Sequence, residues 1–253
     1  MDRIGVTARD LRRVQGLLDP ERPAGLDDEV PRSFLHDLAV LVPCHDITFS
    51  VMDHRSHSST LQSTLDDSAP EDPDLDALFW DGFLECRACS YPQLTGDHVT
   101  ATRRSDFYGR SVYGRTKVGA YMAALGVRHE ALVPLPVLDV NDRRLLLFRG
   151  EGSDFSEREM LLLLLIRPHL IEMHLRQRRR RRGVPELTPR QWEILRLVAA
   201  GCTNRMVARA LMISEATVRK HLENLYGRLE VNSRTEALAK IPLTELNLHT
   251  TVA

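Results

Sequence analysis

Between Ser214 and Asn224 the chain reads SEATVRKHLEN, and downstream Val218, Leu222, Leu225 and Leu229 recur at i, i+4, i+7 and i+11. That is the spacing of a helix buried along one stripe. At about 100° per residue, the opposite side holds Ala216, Lys220 and Glu223, flanked by Thr217, Arg219 and Asn224. The chemistry open to such a side is recognition of a polyanion. A guanidinium and an ammonium can donate to the guanine acceptors of a major groove or to phosphate oxygens, and a small Ala216 permits close approach. Glu223 has two readings: it accepts from a cytosine amino group, or it is simply solvated. Upstream, Thr203 and Asn204 open another helical segment, where free backbone N–H groups suit a phosphate oxygen.

The elements that must hold these residues are signalled at their ends. Thr188-Pro189-Arg190-Gln191 combines an N-cap, a proline at the first helical position and a capping box. Trp192, Leu195 and Val198 follow at helical spacing, and Gly201 is the expected stop. Thr203 caps a second helix, with Met206, Val207, Ala210 and Leu211 expected to face inward. Ile213-Ser214 makes a tight connection, Ser214 caps the third helix, and Ser233 and Glu236 box a fourth. Two short helices joined by a tight turn are a helix-turn-helix, in which the second braces the third against DNA.

The stretch LTPRQWEILRLVAAGCTNRMVARALMISEATVRKHLENLYGRLEVNSRTEALAK, about residues 187–240, resembles the LuxR-type (GerE-like) DNA-binding domain of bacterial transcription regulators. The matched elements are Leu-Thr-Pro-Arg, the Gly201 stop, Thr-Asn-Arg, Ser-Glu-Ala-Thr-Val-Arg-Lys-His and Asn-Ser-Arg-Thr-Glu-Ala, together near a fifth of the chain. The resemblance implies base reading at Arg219, Lys220 and Glu223, and phosphate contacts around Thr203, Asn204, Arg205, Thr217 and His221. It also implies a dimerising last helix (about 233–241), and a double-stranded operator, a second copy of the chain and RNA polymerase as partners. Glu223 departs from the lysine that some relatives carry.

With 253 residues, 43% hydrophobic and 27% charged, the chain fits one or two ordinary globular domains. Its longest apolar run, Leu161–Ile166, is too short to span a bilayer, and the polar N-terminus has no signal-peptide core. A cytoplasmic protein without membrane contact is expected. The formal charge of −1 hides an asymmetry: −9 over residues 1–175, six arginines in RQRRRRR (176–182), and +2 over 183–253. This suggests a polyanion partner for the C-terminal end alone. The expected organisation is therefore a sensory and dimerisation domain over 1–175, a basic linker over 176–184 and the helix-turn-helix domain over 185–253. The arginines are either solvated linker or a source of nonspecific phosphate affinity.

In the N-terminal part, Thr7 and Asp10 box a short helix carrying Leu11, Val14, Leu17 and Leu18, and a second helix is expected from about Pro31 to Val42. DITFSVMD (Asp46–Asp53) alternates as a strand, with another around Leu61–Leu65. A helix from Pro73 puts Leu75, Leu78, Phe79 and Phe83 on one face, 87–104 is read as irregular, and 111–127 as a helix weakened at Gly114 and Gly119. A hairpin follows near 130–138 and 143–149, turning at Asp139–Asp142, with Pro134 and Pro136 marking its first strand as an edge or a bulge. Ser156 and Glu159 box a long exit helix, kinked at Pro168. This order predicts an α/β sandwich around a mixed or antiparallel sheet, similar to GAF and PAS sensor modules, joined to a small all-α four-helix domain.

Phe49, Trp80, Tyr91, Tyr108, Tyr113 and Tyr121 are the candidate lining of a small-molecule pocket, each also readable as ordinary packing. The resemblance to LuxR regulators would imply paired tryptophans and an aspartate around a homoserine-lactone pocket; Trp80 stands alone before residue 176, so such a site is disfavoured. The competing readings are a ligand-free docking or dimerisation module, and an enzyme built from His45, Asp46, His54, His57, Asp97 and His98. No nucleophile elbow, phosphate loop or HExxH supports the enzyme, and no cofactor is expected. Cys86-x-x-Cys89 invites a metal or redox reading; without a second ligand pair at similar spacing, packed reduced thiols are preferred and no metal is expected. Leu161–Ile166 is apolar on every face, so the exit helix should pack on the sheet with one face and on a second protomer with another, beside Leu11, Val14 and Leu18. The alternative is a run wholly buried within one subunit.

Overall fold

The computed structural model describes residues 5–19, 22, 24–25, 27–64, 73–136, 141–181, 183 and 187–241. They fall into two compact units, Met1–His174 and Leu175–Ala253. The first opens with helix α1 (Ala8–Leu17), where Thr7 and Asp10 form the expected capping box. Val14 and Leu17 are buried, while Leu11 is half exposed. Arg158 donates to the Asp10 carboxylate, which with Thr7 holds this acid well below the usual carboxylate range. Helix α2 (Arg32–Leu41) buries Phe34, Leu35, Leu38 and Leu41.

Among the described residues five strands form one antiparallel sheet in the order β2-β1-β5-β4-β3: β1 (Asp46–Asp53), β2 (Ser58–Ser63), β3 (Thr102–Arg103), β4 (His129–Pro134) and β5 (Asp142–Arg149). Strand β2 lies earlier than the apolar pattern indicated, because its first residues pair back on Asp53 and Met52. Leu61 is exposed, and Gln62 turns inward to accept from the N–H groups of Glu29 and Val30. Strand β4 is not an edge: β3 pairs with it at Ala131 and Leu132. Pro134 lies beyond the end of β3, so its missing N–H costs no ladder bond. The hairpin turn at 137–140 and Leu65 lie outside the described residues.

Helices α3 (Pro73–Gly82), α4 (Arg87–Thr95), α5 (Arg110–Tyr113) and α6 (Lys117–Ala124) belong to the same unit. The irregular reading of 87–104 is corrected by α4, β3 and a 3-10 turn, Arg104–Asp106. The single helix expected over 111–127 is two, α5 and α6. The break has a local cause: Thr116 caps α6 by accepting from Gly119 N–H, and a Cβ on Gly119 would lie 1.9 Å from the Tyr113 carbonyl oxygen.

Helix α7 (Glu157–Arg181) starts at a Ser156–Glu159 box and runs through Pro168. Residues 176–181 of the expected linker are its last turns. Leu162, Leu163 and Ile166 are buried, whereas Leu164 and Leu165 remain partly exposed. Among the described residues the second unit holds four further helices: α8 (Pro189–Ala199), α9 (Asn204–Ala210), α10 (Glu215–Leu229) and α11 (Arg234–Lys240). Among the described residues no helix is long and apolar enough to cross a membrane.

Candidate nucleic-acid interface

Each helix of the second unit begins where a side chain replaces a missing backbone partner. Thr188 accepts from Gln191 N–H while Gln191 Oε1 accepts from Thr188 N–H at 2.9 Å, and Pro189 fills the first position of α8. Thr203 accepts from Met206 N–H, Ser214 from Thr217 N–H and Ser233 from Glu236 N–H. Such caps contribute about 1 kcal/mol each. They fix the ends of α9 and α11, seven residues each, which have too few internal bonds to persist alone.

Two apolar clusters close the unit. Ile194, Val198, Val207, Ala208, Val218 and Leu222 lock α8, α9 and α10 together; Trp192, Leu195, Leu225, Leu229, Ala237 and Ile241 lock α8, α10 and α11. The inward side of α9 is Val207 and Ala208; Met206 and Ala210, expected inside, are exposed. Backbone acceptors at the helix ends are taken by long cations. Arg234 Nη2 donates to the carbonyls of Val198 (2.7 Å) and Cys202 (2.8 Å), Arg190 Nη2 to that of Leu211 (3.0 Å) and Lys240 Nζ to that of Leu229 (2.6 Å). The turn from α9 to α10 reverses at Met212, whose φ is +53°.

On this frame, Val218, Leu222, Leu225 and Leu229 are all buried. Thr217, Arg219, Lys220 and Glu223 are exposed and His221 is half-buried. On α9, Thr203 and Arg205 are exposed and Asn204 is half-buried. Arg205, Arg219 and Lys220 make no ion pair among the described residues. Three unpaired cations beside a helix free along its polar side can exchange water for phosphate and base-edge acceptors without breaking an internal bond. Arg209, exposed in the last turn of α9 and likewise without an ion pair among the described residues, is a further cation that helical periodicity did not single out, because polarity alone does not separate it from any solvated arginine.

The aromatic candidates of the first unit divide between the faces of the sheet. Trp80, Tyr108, Tyr113 and Tyr121 come together with Met52, Phe83, Cys86, Cys89 and Phe148. Tyr91 donates to Asp97 at 3.0 Å and packs on Phe107. Phe49 points to the other face, its ring centroid 5.1 Å from that of His174 on α7. A cavity of about 270 Å³ is lined by Arg104, Tyr113, Gly119, Val127 and Arg128, among others; of the six candidates Tyr113 alone borders it. Arg104 and Glu130 were missed. The Arg104 guanidinium lies 4.5 Å over the Tyr113 ring. Glu130 is buried, one carboxylate oxygen has no hydrogen-bond partner, and neither does the Tyr113 hydroxyl. Burial raises both acids, Glu130 against the opposing pull of Arg104 and Arg144. Among the described residues no three His, Cys, Asp or Glu side chains gather into a metal site.

The geometry of the second unit defines a helix-turn-helix DNA-binding domain. Residues 185–240 match the GerE domain of the luxR family of bacterial regulatory proteins, and the chain carries a LuxR-family DNA-binding domain there. Over 56 residues it is 52% identical to YhjB of Escherichia coli strain K12, named as an HTH-type transcriptional regulator, which is 22% of this chain and 28% of that protein. It is 45% identical over 56 residues to the nitrate/nitrite response regulator NarL of the same strain, 22% of this chain and 26% of NarL. The response regulator VraR of Staphylococcus aureus is 39% identical over 69 residues, 27% of this chain and 33% of VraR. The chain thus matches a quarter to a third of the length of these relatives. Among solved structures, SdiA in complex with octanoyl-rac-glycerol covers 95% of this chain and 98% of its own at 18% identity and a TM-score of 0.45. The VqsR LBD domain from Pseudomonas aeruginosa covers 69% of this chain and 99% of its own at 15% identity and a TM-score of 0.47.

Proposed function

We propose that the chain is a transcription regulator that binds a specific operator as a homodimer, working where the DNA is, in the cytoplasm, and carrying no catalytic activity. The observation that supports this best is α10: a fully buried stripe faces α8, and Arg219 and Lys220 stand exposed and unpaired on the side away from it. In this reading Arg219 and Lys220 meet base edges, Thr203, Asn204, Arg205, Thr217 and His221 meet phosphates, and Glu223 stays solvated at the rim. Helix α11 offers a second dimer contact. The first unit is the sensory half, a GAF/PAS-related sandwich over about residues 1–175. The antiparallel order β2-β1-β5-β4-β3 and the cavity beside Tyr113 and Arg104 support it. Selection from a random DNA pool by the full chain tests the reading. Enrichment of an imperfect palindrome is expected; a pool that stays unenriched while bulk DNA is still bound would leave only nonspecific affinity.

A further inference from the structure

The motif Cys86-x-x-Cys89 has no part in DNA binding, and the structure gives it a definite geometry. The two Sγ atoms lie 3.0 Å apart, hydrogen-bonded and buried. Cys86 occupies the N-cap of α4 with extended backbone (φ −82°, ψ 97°), and Cys89 is the third residue of the helix. We propose that Cys86 and Cys89 are a dithiol–disulfide couple that responds to small hydroperoxides.

The two sulfurs are unequal. The neighbouring Cys89 thiol holds Cys86 below the ordinary thiol range against the cost of burial, helped by the backbone N–H groups of Cys89 and Ala88. Cys89 moves the other way, raised by the same partner and by burial. Cys86, at the N-cap where the N-terminus of α4 favours an anion, is therefore assigned as the attacking thiolate and Cys89, inside the helix, as the resolving thiol. Cys44 lacks this arrangement: burial pushes its thiol up to about 12, so it stays protonated and slow. Both thiols are buried, Cys86 at 0% and Cys89 at 3% exposed, so the oxidant must be small; Glu85 and Arg87, on either side of Cys86, are exposed, and Tyr113, packed in the same cluster as both cysteines, borders the 270 Å³ cavity.

The chemistry balances with the hydroperoxide as oxidant. The Cys86 thiolate attacks the terminal oxygen, the O–O bond breaks, and the departing oxygen takes a proton to leave as water or an alcohol. The resulting Cys86 sulfenic acid is attacked by Cys89 Sγ; the S–O bond breaks, the S–S bond forms, and water departs with the Cys89 proton. Two thiols and one hydroperoxide become one disulfide, one alcohol or water, and one water. The new bond draws the sulfurs to about 2.05 Å. It therefore acts on the turn whose Cys89 carbonyl accepts from Arg144 Nη1 at 2.6 Å, and so on a buried residue of β5.

The test uses the reduced full chain with one equivalent of hydrogen peroxide, quenched and alkylated under denaturing conditions for peptide mass analysis. Expected is a peptide bearing Cys86 and Cys89 that is two hydrogens lighter and resists alkylation until dithiothreitol is added, while Cys44 and Cys202 are alkylated. Cys89→Ser should stop at a Cys86 sulfenic acid that dimedone traps. Cys86→Ser should slow peroxide consumption by about tenfold or more. The wild-type measurement stands even where a variant folds poorly. Alkylation of Cys86 and Cys89 to the same extent as Cys202, a disulfide between chains through Cys202, or oxidation that occurs only in denaturant would each overturn the proposal.

Discussion

Truncating Arg219 and Lys220 asks whether α10 reads bases. Both side chains are exposed and make no ion pair among the described residues, so Arg219→Ala and Lys220→Ala should leave the melting temperature within about a degree of wild type, as surface substitutions do. Any loss then belongs to the complex. A base-reading contact contributes about 1–3 kcal/mol. In a two-fold dimer each substitution counts twice, so the operator complex should weaken by about 2–6 kcal/mol, roughly 30- to 20,000-fold. Random-sequence DNA should lose far less. The salt dependence separates the two roles: a side chain that touches only phosphate lowers the slope of log K against log salt by about one per contact, about two per dimer. The assay is fluorescence anisotropy of the full chain on the selected operator and on a scrambled duplex at several salt concentrations. Equal losses on both duplexes, with a reduced slope, would refute base reading and leave Arg219 and Lys220 as phosphate contacts.

Four further outcomes follow from the same geometry. Footprinting on the selected operator should protect two half-sites about one helical turn apart; protection of a single unrepeated half-site would end the dimer reading. The fragment 1–175 should sediment as a dimer at tens of micromolar, and Leu164→Glu should weaken both that dimer and operator affinity. The neighbouring Leu163 is 1% exposed against 37% for Leu164, so Leu163→Glu should unfold the unit and report nothing on association. Gly119→Ala should destabilise by about 2 kcal/mol or more, because the methyl meets the Tyr113 carbonyl and displaces the Thr116 cap, seen as a lower urea midpoint. Burial raises the Glu130 acid, so the stability that its protonated form provides is complete below its unfolded value near 4.5 and fades as pH rises through the higher folded value. Glu130→Gln should therefore gain stability over wild type progressively above pH 5 in thermal melts; a difference independent of pH would show that Glu130 does not titrate there.

The second unit was legible because its signals are local. Each cap joins residues three apart, as in Thr188–Gln191, Ser214–Thr217 and Ser233–Glu236, and the stripe from Val218 to Leu229 runs along most of the fifteen-residue α10. Where a helix has only seven residues, as α9 does, periodicity cannot tell Met206 from its neighbours, and the inward side turned out to be Val207 and Ala208. The N-terminal errors have the opposite origin. Helix α4 carries Pro92 and little apolar period, and β3 is two residues defined by pairing with β4, about thirty positions downstream. Neither exists without its tertiary partner. The same holds for the aromatic candidates: alternation along β1 fixes that Phe49 and Met52 face opposite ways, but which face meets α7 depends on the register of five strands.

That register separates two kinds of interior. The side of Phe49 is mostly apolar: Ile47, Phe49, Leu145 and Leu147 are buried there, with Gln62, Arg143 and His174 among them, and α2 and α7 contribute Phe34, Leu35, Leu38, Leu162 and Ile166 to the core. The side of Met52 buries Glu130, Asp142 and Arg144 among aromatic rings, beside the paired thiols. Arg144 reaches Asp142 and the Cys89 carbonyl, but Glu130 and the Tyr113 hydroxyl keep unmet hydrogen-bonding capacity. An unpaired buried polar group costs about 1–3 kcal/mol, and folding alone would replace it with an apolar side chain at no loss. The Phe49 side carries an unmet group as well, His174 Nε2, but it is on the Met52 side that such a group, the Tyr113 hydroxyl, belongs to a residue lining the cavity. A ligand entering beside Arg104 and Tyr113 would supply the missing partners, and so would draw its affinity from groups that are a burden to the empty unit.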